Sequence, residues 1–453
     1  MKIMLVRPRP EKETIGLQHV MIVEPLELEV IASTVNEECV IVDMILEKKS
    51  IEYFIKKEKP DVLAITGYIT NVNTIIRYCK IAKEINYRII TIVGGVHIEV
   101  VPEDLDNVYI DFRVVRNATT EFPKLIKHLK FEEKLPKCVF KHKEKVEFNK
   151  LPEINFHYPL PNRKLTKKYR NKYFYIFHDK VALIKTAFGC PYKCDFCFCR
   201  KITYDQYHPR KVDDVLDELQ EIKEQEIYIV DDDFLINKVR VTEFLDGLEK
   251  RNIKKNYLIY ARSDFIIKNQ DLVKRFKRLG LKTVIVGFES FNEEELGEYN
   301  KAIDVKTNEE CMNFLNQVGI DCYATIIINP DWDYKDFERL EKKLKELKIK
   351  YVNLQPLTPL PKTDFSIDEE RLCIKREEYE KWDLAHISVK PTKMSVPEFY
   401  NQIIKLYNKI VFRPNVLINH LKHSPMILFR MIKGSFLVHR QYKQKYLEAL
   451  QYA

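Results

Sequence analysis

Short apolar runs separated by longer amphipathic stretches recur along the chain in two blocks. In the first, from Met1 to about Leu129, the runs are KIMLV, CVIVDMI, DVLAIT, IITIVGG and FRVV. Short β-rich runs alternating with helical patterns predict a parallel sheet with helices on both faces. Ligands of such sheets sit beyond the carboxyl ends of the strands, so the turns after Thr66 and Val93 matter most. In the second block, from Lys180 to about Thr358, VALIKTA, EIYIV, YLIYA, TVIVG, YATIII and YVNLQ alternate with helical stretches such as VDDVLDELQEIK and YKDFERLEKKLKEL. Six βα units predict a complete or partial barrel whose active site lies at the carboxyl ends of its strands. The charged stretch between the blocks, with prolines at 136, 152, 159 and 161, reads as a connector that wraps rather than folds alone. The remainder reads as mainly helical. The expected division is residues 1–140, 141–179 (connector), 180–358 (barrel) and 359–453 (helical).

A chain of 453 residues is too long for one ordinary core, which agrees with this division. At 45% hydrophobic and 32% charged residues the composition is that of a globular protein. No apolar run is long enough to span a membrane, and MKIMLVRPRP reads as a first strand and not as a signal peptide, so a cytoplasmic protein is expected. The net charge of +9 admits an anionic partner without naming one. Nothing resembles a nucleic-acid module, so no nucleic acid is expected. From Asn401 onward nine Lys and Arg stand against one Asp or Glu, interleaved with Phe, Leu, Ile, Met and Tyr. That tail admits three readings: a helical cap with a solvated basic face, a peripheral membrane contact, or a surface for an anionic substrate.

Ten cysteines are scattered except for Cys190, Cys194, Cys197 and Cys199 in AFGCPYKCDFCFCR. The first three are spaced C-x3-C-x2-C directly after the first barrel strand. Three thiolates on a loop can hold a cube of iron and sulfur and leave one iron open. Zinc is the rival, but it wants a second ligand pair a dozen or more residues away, and none is evident. Cys199 lies close behind Cys197 and reads as a spectator or a local packing residue.

This spacing after the first strand of a βα barrel, with the aromatic Phe196 before the third cysteine, resembles the radical S-adenosylmethionine superfamily. The resemblance implies a [4Fe-4S] cluster on Cys190, Cys194 and Cys197, whose open iron chelates S-adenosylmethionine, with Phe196 beside the adenine. It further implies reductive cleavage to a 5′-deoxyadenosyl radical, and an electron donor such as flavodoxin or ferredoxin. Asp232 and Asp233 after EIYIV, Arg262 after YLIYA and Glu289 after TVIVG stand where that family places polar groups around the methionyl and ribose moieties. An ammonium wants a carboxylate and a carboxylate wants a guanidinium. Asp231 reads as a turn residue.

The first block resembles the cobalamin-binding domain often joined ahead of such barrels. Gly67, Tyr68 and Thr70 follow one strand, and Gly94, Gly95 and His97 the next. A glycine pair lets backbone approach a flat ligand, and a hydroxyl can hold its nucleotide tail. Many cobalamin domains carry D-x-H-x-x-G with a cobalt-ligating histidine; here Ile45 takes that position, so no imidazole is expected from this loop. The acidic glycine-containing turn usual in such domains appears as Asn117 to Glu121. For His97 a hydrogen bond to the corrin edge or simple packing is expected. LTPLPKT resembles the family's exit from the barrel, with Lys362 where glycine is frequent. WDLAHISVKPTKMSVPEFY resembles a branch that includes bacteriochlorophyll-ring and hopanoid-modifying members, and His386 within it either lines a substrate cavity or is a buried, satisfied histidine. The implied activity is transfer of a methyl group from methylcobalamin to an unactivated carbon of a small-molecule substrate. Ring formation or rearrangement with the same cofactors is the alternative, and a non-enzymatic corrinoid or metal carrier is the rival from another class.

Overall fold

The computed structural model describes residues 1–148, 153–411, 413, 414, 416 and 422–451. Pro152 of the expected connector lies outside the described residues. Every apolar run of the first block forms a strand. Lys2–Arg7, Glu38–Asp43, Val62–Thr66, Ile90–Gly94 and Phe112–Val114 pair in parallel. An antiparallel edge strand, Val139–Lys141, follows and extends the first domain to the end of its expected span. Its brevity hid it from the sequence pattern. Separate apolar clusters cover the two faces of the sheet, as a parallel sheet buried on both sides requires.

The second block gives six parallel strands in sequential order: Val181–Ile184, Glu226–Ile229, Asn256–Ala261, Leu281–Glu289, Asp321–Ile328 and Tyr351–Pro356. The first and last are not paired, so the barrel is partial. Alternate residues divide its burial. Ala182, Ile227, Ile259, Val284 and Ala324 join the large cluster under the helices. Leu183, Tyr228, Leu258, Ile285 and Tyr323 form a second cluster inside the barrel.

Two parts depart from the expected division. Residues of the amino-terminal segment leave the first domain: Ile15 joins the barrel core, and Met21–Ile22 pairs with Phe174–Tyr175 of the connector. The tail begins without an α-helix, in irregular chain with short 3-10 turns at Glu369–Arg371 and Tyr379–Lys381, before the helices Val396–Val411 and Pro425–Leu450. It is not an independent unit either, because Ile387, Phe399, Tyr400, Ile403 and Tyr442 belong to the barrel's own cluster.

The connector wraps, as expected, and it also bolts the halves together. Arg163 bridges Glu24 (2.6 Å) and Glu218 (2.8 Å), and Arg170 bridges Glu224 (2.7 Å). Glu24 lies in the first block and Glu218 on a barrel helix, and neither side chain is more than 2% exposed. Nearby Glu29 is pushed up to about 7, by burial first, with Arg163 pulling it down.

Candidate functional site

The loop after strand Val181–Ile184 carries the cysteines. Its start is pinned by Asp231, which accepts from the Thr186 amide (2.6 Å), the Ala187 amide (3.0 Å) and the Thr186 hydroxyl. Asp231 is therefore not the turn residue its sequence context suggested; it is a buried clamp that fixes where the loop leaves the barrel. Gly189, at φ +74°, has no room for a side chain, because a Cβ would stand 1.9 Å from the Gln206 carbonyl oxygen.

Cations stand beside Cys194, whereas Asp232 and Asp233 stand nearer Cys190. Arg262 lies with Nη1 3.9 Å from Cys194 Sγ, donates to the Lys301 carbonyl (2.9 Å) and stacks over Tyr192 at 3.7 Å. Burial pushes the Cys194 thiol up, while Lys301 and Arg262 pull it down. Burial likewise pushes Cys190 up to about 12. Cys197 is held below the ordinary thiol value, chiefly by a hydrogen bond from Cys199. Cys199 is thus the neighbour of a candidate ligand, not a bystander. Among the described residues no three His, Cys, Asp or Glu side chains are grouped so as to hold a metal ion.

The predicted polar groups gather at the same end of the barrel. Glu289 closes its strand at φ +62°, a conformation that costs a non-glycine residue on the order of 1 kcal/mol. A bulge between Gly287 and Glu289 accompanies it. The carboxylate pairs with buried Lys301 at 2.8 Å. It folds over Gly287, where a Cβ would stand 2.3 Å from Glu289 Oε1. Asp233 is buried and pushed up to about 7 by burial, and its Oδ2 has no hydrogen-bond partner. Asp232 sits 3.7 Å from Lys185. Phe196 meets Tyr299 edge-on at 5.9 Å and lies under the Lys301 ammonium. An open carboxyl oxygen, a guanidinium and an ammonium beside three thiols fit a zwitterionic ligand next to an iron–sulfur cluster. Lys301 and Gly287 were not singled out from the sequence. Lys301 follows a short helix with no motif around it, although Gly287 does stand at a strand end.

The first domain turns the carboxyl ends of its strands toward this loop. Helix Val96–Val100 packs on helix Cys199–Thr203. Tyr68 is 59% exposed, and yet its phenol is pushed far up, by burial first and then by Glu27 and Cys199. Tyr68 thus stands at the joint between the domains, near enough to Cys199 and Tyr260 to feel both. Tyr260, on a barrel strand, answers from the other side: it too keeps accessible surface, is desolvated, and feels Cys199. Tyr260, Tyr228, Tyr175 and Tyr323 continue the aromatic lining into the barrel. Gly95, at φ +101°, stacks its backbone against Gly67 and Thr66. A Cβ on Gly94 would meet nothing closer than 3.6 Å. Thr70 is half-buried beside Tyr68.

His97 is buried, with Nε2 2.8 Å from Asp104 and its ring against Tyr379. Asp43, the counterpart of the usual aspartate, pairs with Arg7, and Ile45 on the following turn offers no donor. Asn117 (φ +54°) exchanges hydrogen bonds with the connector at Glu153 (2.8 Å) and Asn155 (2.7 Å), so here the connector occupies the loop's polar groups. His386 is buried against Asp383 at 2.9 Å, with Nε2 unpartnered.

Residues 14–126 match the family model of the B12 binding domain, and residues 184–344 that of the radical SAM superfamily. The two together span more than half of the chain. The chain is a cobalamin-binding radical SAM enzyme. A [4Fe-4S] cluster, S-adenosylmethionine and cobalamin are its cofactors. Along 424 residues it is 29% identical to the hopanoid C-3 methylase of Methylococcus capsulatus, covering 90% of this chain and 81% of the relative. Among solved structures it is similar to the cobalamin-dependent S-adenosylmethionine radical enzyme OxsB with aqua-cobalamin and S-adenosylmethionine bound (TM-score 0.70, 16% identity, 97% of this chain and 71% of that one). It is also similar to the radical S-adenosylmethionine methyltransferase TsrM from Kitasatospora setae (TM-score 0.65, 13% identity, 98% and 99%). No described helix of this radical SAM enzyme is long and apolar enough to cross a membrane.

Proposed function

We propose that the protein transfers a methyl group to an unactivated carbon of a small molecule held in the chamber between its two domains. The observation that carries this reading is that Tyr68 of the first domain and Tyr260 of a barrel strand lie near one another and near Cys199, where helix Val96–Val100 packs on helix Cys199–Thr203. The methylase relative along nine-tenths of the chain supports the reaction type. Bound together, the cofactors supply a hydrogen-abstracting radical and a transferable methyl group.

The chain's own residues do the rest. Cys190, Cys194 and Cys197 hold the cluster, with Arg262 and Lys301 balancing thiolate charge at Cys194. Asp233 offers its open oxygen, and Arg262 and Glu289 with Lys301 offer both signs of charge, to the methionyl end of S-adenosylmethionine. Phe196 and Asp232 flank the nucleoside. Gly67, Tyr68, Thr70, Gly94 and Gly95 would form the bed for cobalamin, and Ile45 would offer it no imidazole from this loop. The tyrosines of the barrel interior exclude water from the substrate carbon. A flavodoxin or ferredoxin of the cytoplasm supplies the electrons.

Anaerobic incubation with reductant, methyl-labelled S-adenosylmethionine and an extract of the source organism, read by mass spectrometry, tests this. A labelled methyl group on one extract component, with 5′-deoxyadenosine and S-adenosylhomocysteine, is expected. An extract component that loses hydrogen or is rearranged, without label, would favour ring formation.

A further inference from the structure

Helix Pro425–Leu450 has one face against which no described residue packs. Met426 (65% exposed), Phe429 (68%), Ile432 (61%) and Phe436 (65%) project from its amino-terminal half. Lys433, Arg440 and Lys443 are exposed on the same side, and Leu447 continues the row, because the spacing 429-433-436-440-443-447 is that of one helical stripe. The single acid of the helix, Glu448, is tied up with Lys445 at 2.9 Å.

The helix cannot roll to hide this stripe. On the opposite side Gly434 lies so near the His19 carbonyl oxygen that a Cβ would stand 2.3 Å from it. Arg430 pairs with Asp179 at 2.7 Å, Tyr442 is buried in the barrel core, and Lys445 pairs with Glu13. Asp179 precedes the first barrel strand, so the apolar half of the helix is anchored at the barrel end opposite the cluster loop.

We propose that this face docks the enzyme onto an anionic lipid bilayer. Large apolar side chains flanked by cations on a fixed helix match the acyl boundary and the anionic headgroups together. A second copy of the chain is the weaker occupant. Two-fold pairing of the stripe would set Lys433, Arg440 and Lys443 of one copy against cations of the other, with no exposed acid on the helix to offset them. The proposal is independent of the reaction catalysed.

The test is co-sedimentation of the full-length, cofactor-loaded enzyme with vesicles of phosphatidylglycerol and phosphatidylethanolamine, and with vesicles of phosphatidylcholine alone. Binding to the anionic vesicles is expected, reduced by 0.5 M salt. The double variant F429E/F436E should bind at least about tenfold more weakly. K433Q/R440Q/K443Q should lose the preference for anionic lipid. Iron and corrinoid content of both variants shows whether they are folded; should the glutamates lower it, F429S/F436S gives the same comparison. Wild type that binds neither vesicle, or folded variants that bind equally well, would overturn the proposal. So would a wild-type dimer that the phenylalanine variants split while vesicle binding is absent, because that outcome assigns the face to a protein contact.

Discussion

One loop carries Cys190, Cys194 and Cys197, the three thiols proposed to hold the cluster. Single replacement of each by alanine should abolish iron incorporation under anaerobic reconstitution, and Cys199→Ala should keep it. Loss of iron from Cys199→Ala with retention in Cys190→Ala would reverse the assignment. The nearness of Cys199 to Cys197 leads to a further expectation: Cys199→Ala should shift the cluster's absorption or paramagnetic spectrum without changing its iron count. Lys301 was not legible, since its contacts with Glu289 and Arg262 arise only when three separate strand and loop ends converge. Lys362 shows the reverse case. The family often has glycine there, and the lysine takes φ +63°, the backbone conformation glycine favours, so the geometry is kept although the residue is not.

Among the elements, the strands were readable because short continuous apolar runs bounded by polar turns mark strands buried on both faces of a sheet. The helix Val96–Val100 was not, being five residues long and shaped by its contact with the helix after the cluster loop. That junction gives a pH-dependent prediction. Glu99 is pushed up to about 8, by burial first, with Arg116 opposing. Its folded value lies above its ordinary one, so between the two the folded state holds the extra proton. Its contribution to stability is therefore present below about pH 4.5 and is lost as pH rises toward 8. Glu99→Gln removes this dependence. The variant should gain on wild type as pH rises from 5 to 8, by at most about 1.4 kcal/mol per pH unit, in urea unfolding of the cobalamin-free protein. A constant difference across that range would show that Glu99 is ionised throughout.

At the scale of the whole molecule, the two-domain plan could be read from the sequence, but the bolt between domains could not. Arg163, Glu24 and Glu218 are far apart in sequence and meet only because the connector wraps. Arg163→Met leaves buried carboxylates without their partner and should cost about 3–5 kcal/mol, seen as a lower urea midpoint. A change under about 0.5 kcal/mol would mark the network as dispensable. The central claim is that both domains work on one chamber, and Gly94→Trp tests it most directly. A Cβ at Gly94 meets no protein atom closer than 3.6 Å, so the strand end admits a branch point there, and the bulk of the tryptophan is expected to intrude on the cobalamin bed. The variant and wild type are to be assayed side by side, anaerobically and with reductant, for bound corrinoid, 5′-deoxyadenosine and S-adenosylhomocysteine. The account predicts that the variant keeps its iron and still releases 5′-deoxyadenosine, while corrinoid and S-adenosylhomocysteine disappear. A corrinoid-free variant that still transfers methyl groups at the wild-type rate would contradict it.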